Sequence, residues 1–413
     1  MAFNNSVNIL TKEELIKSYI DDFNTSPERR LMLKGESYYR VENDILNQKM
    51  IRYENQESVE DETKNNNKLS HGFMHSLIDD KVNYLLVKPY VLTCADGKYL
   101  DAVKKTLGKR FQKKISQLGT ESSNKGLSWL HVYIDSKGQF RTIKIPTEQA
   151  IPLWIDDDHE ELQAFIRYYD VEAYEGKTKK YVTKIEFWTP ENVEYYVFQN
   201  DEVILNSEMY LDEENNYDGH FKVGNAPDNW GRVPFIPFKN NDDELPDLQF
   251  VKTLVDNYDL TRSDVANSLE DVKNIRGYGE KNLGEFLRDL AYYRAVTLDS
   301  DEGAELKKVE AAINIEAAKE HYSTLKKDIY SFGQGVDKSS DNLGNSASGI
   351  RLKFMYSGLD LKCNALEEWF KWGFEQLIYF VNLYLKLTKQ TISNKEITIV
   401  FNRDIAINEY EMN

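Results

Sequence analysis

Apolar residues recur at helical spacing in the N-terminal part of the chain. Thr11 and Glu14 form a capping box at the start of a helix predicted over residues 11–22. A second helical pattern covers residues 69–85. The polar stretch 55–68, which precedes the second pattern, predicts an exposed loop.

The spacing of apolar residues changes to the period of two, typical of β-strands, between Trp129 and Tyr210. Polar turns such as 135–138 separate the apolar runs, which predicts an antiparallel meander. The predicted strands cover residues 129–134, 140–145, 162–171, 181–189, 193–199 and 203–210.

A narrow apolar seam marks the long helix that begins after Pro246. Its members are alternately three and four residues apart, which suits packing against a neighbouring helix better than burial in a globule. They are Leu248, Val251, Val255, Tyr258, Arg262, Val265, Leu269 and Val272.

Two more long helices flank a polar loop in the C-terminal half. One is predicted over 304–332 and the other over 348–387, a length of roughly 60 Å at 1.5 Å per residue. Residues 333–349 between them are rich in Gly, Ser, Asn and Asp. A strand-and-helix insert is predicted over 274–298 and a last strand over 396–405. Together with the meander, this order of elements predicts an α+β fold.

Composition limits the classes of function. The 413 residues carry a formal net charge of -17, so tight phosphate binding over the whole surface is not expected. Cys94 and Cys363 form no Cys-x-x-Cys pattern, which fits a reducing compartment. Residues 1–10 do not resemble a signal peptide, and the apolar run 374–387 is too short and too polar to span a bilayer. We therefore expect a cytosolic product without membrane contact.

Two polar clusters are candidate metal sites. The acidic run 156–161 could hold Mg²⁺ or Mn²⁺, but consecutive residues cannot all face one ion, and a solvated turn explains it better. His71, His75 and Asp79 could bind zinc, but a polar helix face is the better interpretation. The sequence has no Gly-x-x-x-x-Gly-Lys-Ser/Thr loop and no Gly-x-Ser-x-Gly elbow. The residues thus predict no catalysis, no cofactor and no metal site.

Several stretches carry a family resemblance. They are NNKLSHGF at 66–73, DDKVNYLLVKP at 79–89, IPLWID and AFIRYY at 151–156 and 164–169, RVPFIPFKNN at 232–241, and SGIRLKF at 348–354. In this order they resemble portal proteins of tailed double-stranded DNA bacteriophages, of the siphovirus type. The resemblance covers nearly the whole chain, although the family often has glycine where this chain has Val87.

The resemblance implies a ring-forming portal fold with a β-rich wing, two long stem helices, a small α/β clip and a long wing helix. Carried over, residues 1–240 are the wing, 241–272 the first stem helix, 273–314 the clip, 315–332 the second stem helix, 333–348 a tunnel loop, 349–389 the long wing helix, and 390–413 a terminal strand with the start of a possible truncated crown. The family continues into a helical crown, whereas this sequence ends at Asn413, so we assign no crown function.

The resemblance also implies a function and partners. It implies a dodecameric ring at one capsid vertex, the conduit for DNA packaging and ejection. The implied partners are double-stranded DNA, the terminase large subunit, the head–tail adaptor and the major capsid or scaffold protein. It further implies a virion component that is assembled in the host cytoplasm.

Three sets of residues are expected to serve this role. The loop facing DNA is Gly335, Val336, Asp337, Lys338, Ser339, Ser340, Asp341 and Asn342. The inter-subunit seam of the first stem helix is Leu248, Val251, Val255, Tyr258, Arg262, Val265 and Leu269. The clip surface for partners is Arg276, Tyr278, Phe286, Arg288, Tyr292 and Tyr293, an aromatic and basic set that could also pack clip to clip.

Two other functions remain open from the sequence. One is a metal-dependent DNA-processing enzyme that uses the acidic run 156–161, which metal titration would reveal. The other is a structural tail or connector protein that conducts no DNA, which the symmetry and bore of the particle would reveal.

Overall fold

The computed structural model describes residues 10–54, 57–206, 219–224, 226–273, 276–277, 295–296, 315–338 and 349–403. The helices within these ranges are α1 (Lys12–Thr25), α2 (Pro27–Tyr39), α3 (Phe73–Leu86), α4 (Gly97–Leu107), α5 (Phe111–Lys125), α6 (Lys252–Lys273), α7 (Ile315–Phe332) and α8 (Gly349–Leu387). The strands are β1 (Ile51–Glu54), β2 (Glu57–Glu60), β3 (Val91–Thr93), β4 (Leu127–Ile134), β5 (Phe140–Ile145), β6 (Ala150–Trp154), β7 (Leu162–Glu175), β8 (Thr178–Trp188), β9 (Val193–Gln199), β10 (Glu202–Leu205), β11 (Phe221–Val223), β12 (Ala226–Asp228), β13 (Phe235–Lys239), β14 (Arg276–Gly277), β15 (Ala295–Val296) and β16 (Thr398–Val400).

The chain divides into two compact units. Unit 1 comprises Met1–Glu36, Ile78–Asp247 and Gly349–Asn413. Unit 2 comprises Ser37–Leu77 and Leu248–Ser348. Each unit therefore combines segments that are far apart in sequence. The mixture of helices and sheets confirms the predicted α+β class.

A five-stranded antiparallel meander is the larger sheet of unit 1. Its strand order is β10-β9-β8-β7-β6, so every strand pairs with its neighbour in sequence. The longest pairing, between β7 and β8, runs from Phe165 opposite Trp188 to Glu175 opposite Thr178. The predicted antiparallel meander is confirmed for these strands, but it is wrong for the strands predicted at 129–134 and 140–145, which as β4 and β5 belong to a second sheet.

Aromatic side chains from two sheets build the core of unit 1. The second sheet has the order β13-β4-β5, in which β13 returns from far along the chain to pair with β4. Trp129 and Phe235 of this sheet have ring centroids 4.8 Å and 3.9 Å from that of Phe165 in the meander. All three side chains are buried. The aromatic richness of the sequence thus serves core packing here.

Helix α1 packs on the meander through one apolar face. Its predicted capping box is present: the Glu14 N–H donates to the Thr11 hydroxyl at 3.2 Å, and the Thr11 N–H donates to the Glu14 carboxylate at 2.8 Å. Ile16 and Ile20 are buried in a cluster with Ile166 of β7. This amphipathic face explains why the helical spacing was visible in the sequence.

The longest helix, α8, has 39 residues, as the sequence predicts. It packs against β13, where Phe370 lies 5.1 Å from Phe238 between ring centroids. Gly373 permits this approach, because a Cβ atom there would lie only 2.9 Å from ring carbons of Phe238. The predicted last strand is also present, as β16, which pairs with β3.

Unit 2 contains the helices α6 and α7, which pack against each other, and two small strand pairs. Strands β1 and β2 form an antiparallel hairpin, and β14 and β15 form a parallel pair. The prediction that residues 55–68 are a loop is wrong at Glu57–Glu60, which forms β2. All four residues of β2 are exposed, so no apolar alternation marks the strand.

Three helices, α2, α4 and α5, were not predicted. Helix α4 does carry start signals, since the Asp96 carboxylate accepts hydrogen bonds from the N–H groups of Lys98 and Tyr99. The first part of the helix predicted over 304–332 lies outside the described residues, and α7 begins at Ile315. Among the helices that the structure describes, none combines the length and apolar character needed to cross a membrane.

Candidate functional site

Helix α6 and the short 3₁₀ turn before it carry the predicted inter-subunit seam. The first four members are buried in the isolated chain: Leu248, Val251, Val255 and Tyr258. Arg262 is half-buried, with its guanidinium 4.7 Å from the ring centroid of Tyr322. Val265 is half-buried, whereas Leu269 is 47 % exposed. The seam thus begins in the core of this chain and reaches the surface at its end.

A second face of α6 binds an extended segment of unit 2. The side chains of Asp259, Ser263 and Asn267 accept hydrogen bonds from the backbone N–H groups of residues 71, 69 and 67, at 3.1, 3.0 and 2.7 Å. The acceptors are four residues apart on the helix, a rise of about 6 Å, and the donors are two residues apart on the extended segment, a span of about 6.6 Å. Because the two spacings are nearly equal, successive hydrogen bonds can form along the helix. We call this set the polar ladder.

The polar ladder is anchored at one end by a buried carboxylate. Asp259 is fully buried, lies 2.6 Å from His71 Nδ1, and accepts a hydrogen bond from the Asn43 side chain at 2.6 Å. This role of the helix was not predicted. Its signal was present, because polar residues at positions 259, 263 and 267 repeat every four residues on one helical face.

Helix α7 packs against α6 through aromatic and polar contacts. The rings of Tyr258 and Tyr322 meet edge to face with centroids 6.1 Å apart. His321 Nε2 lies 3.1 Å from the Asn257 side-chain oxygen. Ile329 of α7 is fully buried. The two helices therefore form a packed pair within one chain.

The predicted tunnel loop begins at a well-defined helix end. The Gly335 N–H donates to the Tyr330 carbonyl at 2.8 Å and the Gln334 N–H donates to the Ser331 carbonyl at 3.2 Å, while Gln334 has φ +53°. These bonds form a Schellman motif with Gln334 at the left-handed position. Gly335 is required for space, since a Cβ atom there would lie 2.1 Å from a methyl carbon of Leu77.

The next residues of the loop are held by the chain itself. Val336 is only 4 % exposed, and Asp337 pairs with Lys326 of α7 at 3.2 Å. Lys338 is exposed. The predicted polar loop thus contains a buried apolar side chain at Val336. The remaining members, Ser339, Ser340, Asp341 and Asn342, lie outside the described residues.

Most of the predicted clip surface lies outside the described residues. Arg276 belongs to β14, which pairs in parallel with β15. The strand at the start of the predicted insert is present as β14, whereas the strand at Ala295–Val296 was not predicted. The positions that the structure does not describe are Tyr278, Phe286, Arg288, Tyr292 and Tyr293, so this surface stays a prediction.

A buried ionic cluster in unit 1 fixes the residue that precedes the seam. Asp247 is 2 % exposed and accepts hydrogen bonds from Lys81, at 3.0 and 3.1 Å, and from Asn240 at 2.9 Å. Lys362 of α8 lies 3.0 Å from the same carboxylate. Burial alone would raise the pKa of Asp247, but the charges of Lys362 and Lys81 outweigh it and hold that pKa below its usual range. Burial lowers the pKa of Lys81 despite the attraction of Asp247.

Comparison with known proteins identifies the family. The sequence model described as "Phage portal protein, SPP1 Gp6-like" matches residues 19–412. The chain belongs to this phage portal protein family. It is 31 % identical over 410 residues to the portal protein of Bacillus phage SPP1, covering 96 % of this chain and 78 % of that protein. It is 32 % identical over 402 residues to the portal protein of Clostridium phage phiCD119, covering 93 % and 84 % of the two chains. The family expected from the sequence is confirmed.

The acidic run at 156–161 is the turn between β6 and β7, as predicted. The Asp156 carboxylate accepts hydrogen bonds from the N–H groups of Glu160 and Glu161 at 3.0 and 2.9 Å, and these bonds lower its pKa. The His159 ring stacks on Trp154 at 4.8 Å and lies 3.0 Å from Glu244. Within the ranges that the structure describes, no three His, Cys, Asp or Glu side chains gather as metal ligands would. The family is structural, and the residues of this run serve the turn.

Proposed function

We propose that this chain is the subunit of a dodecameric portal ring at one vertex of a phage capsid. Double-stranded DNA passes through the ring during packaging and ejection. The observation that carries the proposal is the family match over residues 19–412, which includes every element described above except the first part of α1. A closed ring is also the symmetry that lets one chain contact identical neighbours on both sides.

In this proposal the elements take the parts of a portal subunit. Residues 1–240 with α8 form the wing, α6 and α7 are the stem helices, residues 273–314 form the clip, and residues 333–348 form the tunnel loop. The packing of α6 against α7 supports a stem of two helices. The Schellman motif supports a loop that leaves α7 in a fixed direction.

Neighbouring subunits are proposed to meet on the exposed apolar residues of the first stem helix. Because the first half of the seam is buried in the isolated chain, the contact rests on its last part. Leu269 is 47 % exposed and Leu260, on the same helix, is 40 % exposed. Burial of exposed leucines in a neighbour contributes about 25 cal/mol per Å² of apolar surface removed from water.

The charge of the first stem segment suits a channel for a polyanion. Between residues 241 and 275 there are nine Asp or Glu and three Lys or Arg. If the exposed acids among them face the bore, the ring repels phosphates that come closer than the screening length set by the salt concentration. DNA can then slide without being held by the stem.

We also propose that the protein is not an enzyme and acts with partners. A terminase large subunit would supply ATP-driven translocation, and a head–tail adaptor would dock on the clip. The major capsid or scaffold protein would contact the wing. The clip surface is proposed as predicted from the sequence. Arg276 and the aromatic and basic side chains that follow it either bind partners or pack clip to clip.

The test of ring formation is electron microscopy of the purified chain in negative stain. We expect class averages with closed rings near twelve-fold symmetry and an open bore. The variant Leu269→Asp should lower the fraction of rings, because it places a charge in the proposed contact. The matched control is Ile155→Asp, which changes an exposed apolar residue in the turn between β6 and β7.

Two results would contradict the proposal. One is a stable monomer at micromolar concentration that forms no ring in assembled capsids either. The other is ATPase or metal-dependent nuclease activity that is lost when Asp157 and Asp158 are changed to Ala. Closed particles without a bore would favour the non-conducting connector.

A further inference from the structure

A cationic cavity of about 690 Å³ lies in unit 1, beside the connection between α4 and α5. Strands β4 and β5 and the end of α8 complete its wall. Among the described residues that line it there are five cations and no carboxylate. The cations are Lys105, Lys109, Arg110, Lys114 and Arg141. This concentration contrasts with the net charge of -17 of the whole chain.

The cations of the cavity differ in their interaction partners and in their exposure. Arg141 pairs with Asp135 at 2.7 Å, and the Lys114 amine donates to the Thr142 backbone and hydroxyl oxygens. Lys105, Lys109 and Arg110 are exposed, and no Asp or Glu is among the described residues that line the cavity with them. Burial, and then the nearby charge of Arg141, lower the pKa of Lys114. Of the five cations, only Arg141 is thus described in an ion pair with a carboxylate.

The start of α5 adds to the positive potential. The helix begins after Arg110 with no side-chain cap and no acidic residue in its first turn. Lys113 and Lys114 occupy that turn instead. Cations near a helix N-terminus oppose the helix dipole, which favours negative charge there. The arrangement therefore costs folding stability, and a bound anion would offset that cost.

We infer that the cationic cavity binds phosphate groups of a double-stranded DNA backbone. The inference rests on the proposed function, which brings DNA to this protein, but the cavity is separate from the elements proposed as stem and tunnel loop. Lys109 and Arg110 would contact phosphates, and Tyr133 in the wall offers a neutral donor. Such contacts do not depend on base sequence.

An acidic protein segment is the competing ligand, and the lining favours DNA. Protein partners are usually anchored by aromatic or apolar side chains that enter apolar pockets. Here two of the apolar side chains of the wall, Phe111 and Phe140, are buried at 1 and 6 % exposure, and Leu107 is half-buried. The cavity thus offers charge and hydrogen bonds, and more polar than apolar surface.

The experiment measures binding of the purified full chain to a short fluorescent DNA duplex by anisotropy over a series of salt concentrations. The test variant is Lys109→Ala with Arg110→Ala. The control is Lys177→Ala with Lys395→Ala, which removes two exposed cations of unit 1 that do not line the cavity. Each phosphate contact contributes about 0.9 to the slope of log K against log salt, so the test variant should lower the slope by about 1–2. Its affinity at low salt should fall about tenfold or more relative to the control.

Equal affinities and slopes for the two double variants would overturn the inference. It would also be overturned if the test variant lost binding to poly-glutamate but kept binding to DNA, which would assign the cavity to an acidic protein segment. Micrographs of the same samples show whether a negative result concerns the cavity or the proposed portal function. Rings with unchanged DNA binding reject the cavity alone, whereas the absence of rings both here and in assembled capsids rejects the portal proposal.

Discussion

The substitution Asp247→Asn removes the carboxylate that Lys81 and Lys362 share inside unit 1. Lys81 is 1 % exposed and Lys362 is 12 % exposed, so neither amine is freely hydrated. An uncompensated buried charge costs about 3–5 kcal/mol of stability. We expect a loss of that size in the free energy of unfolding of unit 1.

Two further variants test whether this cost arises from charge. Lys81→Met should cost less than Asp247→Asn, because the carboxylate keeps Lys362 as a partner. Combining Lys81→Met with Asp247→Asn should cost less than the sum of the two, because the most buried cation is then absent. The control is Glu172→Gln, whose partner Lys179 is 42 % exposed, and an exposed pair contributes about 0–1 kcal/mol.

Urea unfolding followed by tryptophan fluorescence provides the assay. All six tryptophans belong to unit 1, so the signal reports on the unit that contains the cluster. The lowered pKa of Asp247 means that its stabilisation is present above the unfolded value of about 3.9 and is lost as the pH falls below it. The Asn variant should lack this contribution. A loss no larger than that of the Glu172→Gln control, or a larger loss for Lys81→Met, would refute the reasoning.

Three further predictions concern other parts of the chain. Burial lowers the pKa of His131 to about 3, so between about pH 6.5 and 3 the unfolded chain binds a proton that the folded chain does not. The free energy of unfolding should therefore fall on acidification by up to about 1.4 kcal/mol per pH unit, and His131→Gln should remove this dependence in urea titrations. Deleting Lys338–Asn345 should leave rings intact but lower the yield or retention of packaged DNA, and normal packaging by this variant would mean that the loop does not gate the channel. Lys338→Glu should lower packaging more at low salt than at high salt, because salt screens the new repulsion between the glutamate and DNA. Arg288→Ala and Tyr293→Ala should weaken ring assembly or the binding of terminase or adaptor, and the clip surface is misplaced if pull-down and microscopy show no change.

Local signals in the sequence were sufficient for much of the fold. The capping box of Thr11 and Glu14 marked α1, and the alternation of apolar residues marked the meander. The pairing of β13 with β4 was not predictable in the same way, because the two strands are far apart in the chain. Which strands pair at such separation is decided by the packing of side chains such as Trp129, and no local spacing records that.

The candidate site was predictable to a smaller extent. The spacing of the seam predicted a contact between subunits, but it could not show that Leu248 and Val255 are buried by the chain itself. The polar ladder had a visible period, yet its partner is an extended segment without a pattern of its own.

The cationic cavity was hidden because net charge averages over the chain, although residues 104–114 contain six Lys or Arg and no acid. Asp247 and Lys81 are ordinary charged residues in the sequence, and only the fold brings them together.

The most direct test of the portal proposal is a cryo-electron microscopy reconstruction of DNA-filled phage heads that contain this chain, computed without imposed symmetry. The proposal predicts one vertex at which twelve copies of the chain form a ring, with α6 and α7 around a bore that contains DNA density. Absence of the chain from that vertex, or a ring whose centre is closed and lacks DNA in both filled and emptied heads, would contradict it.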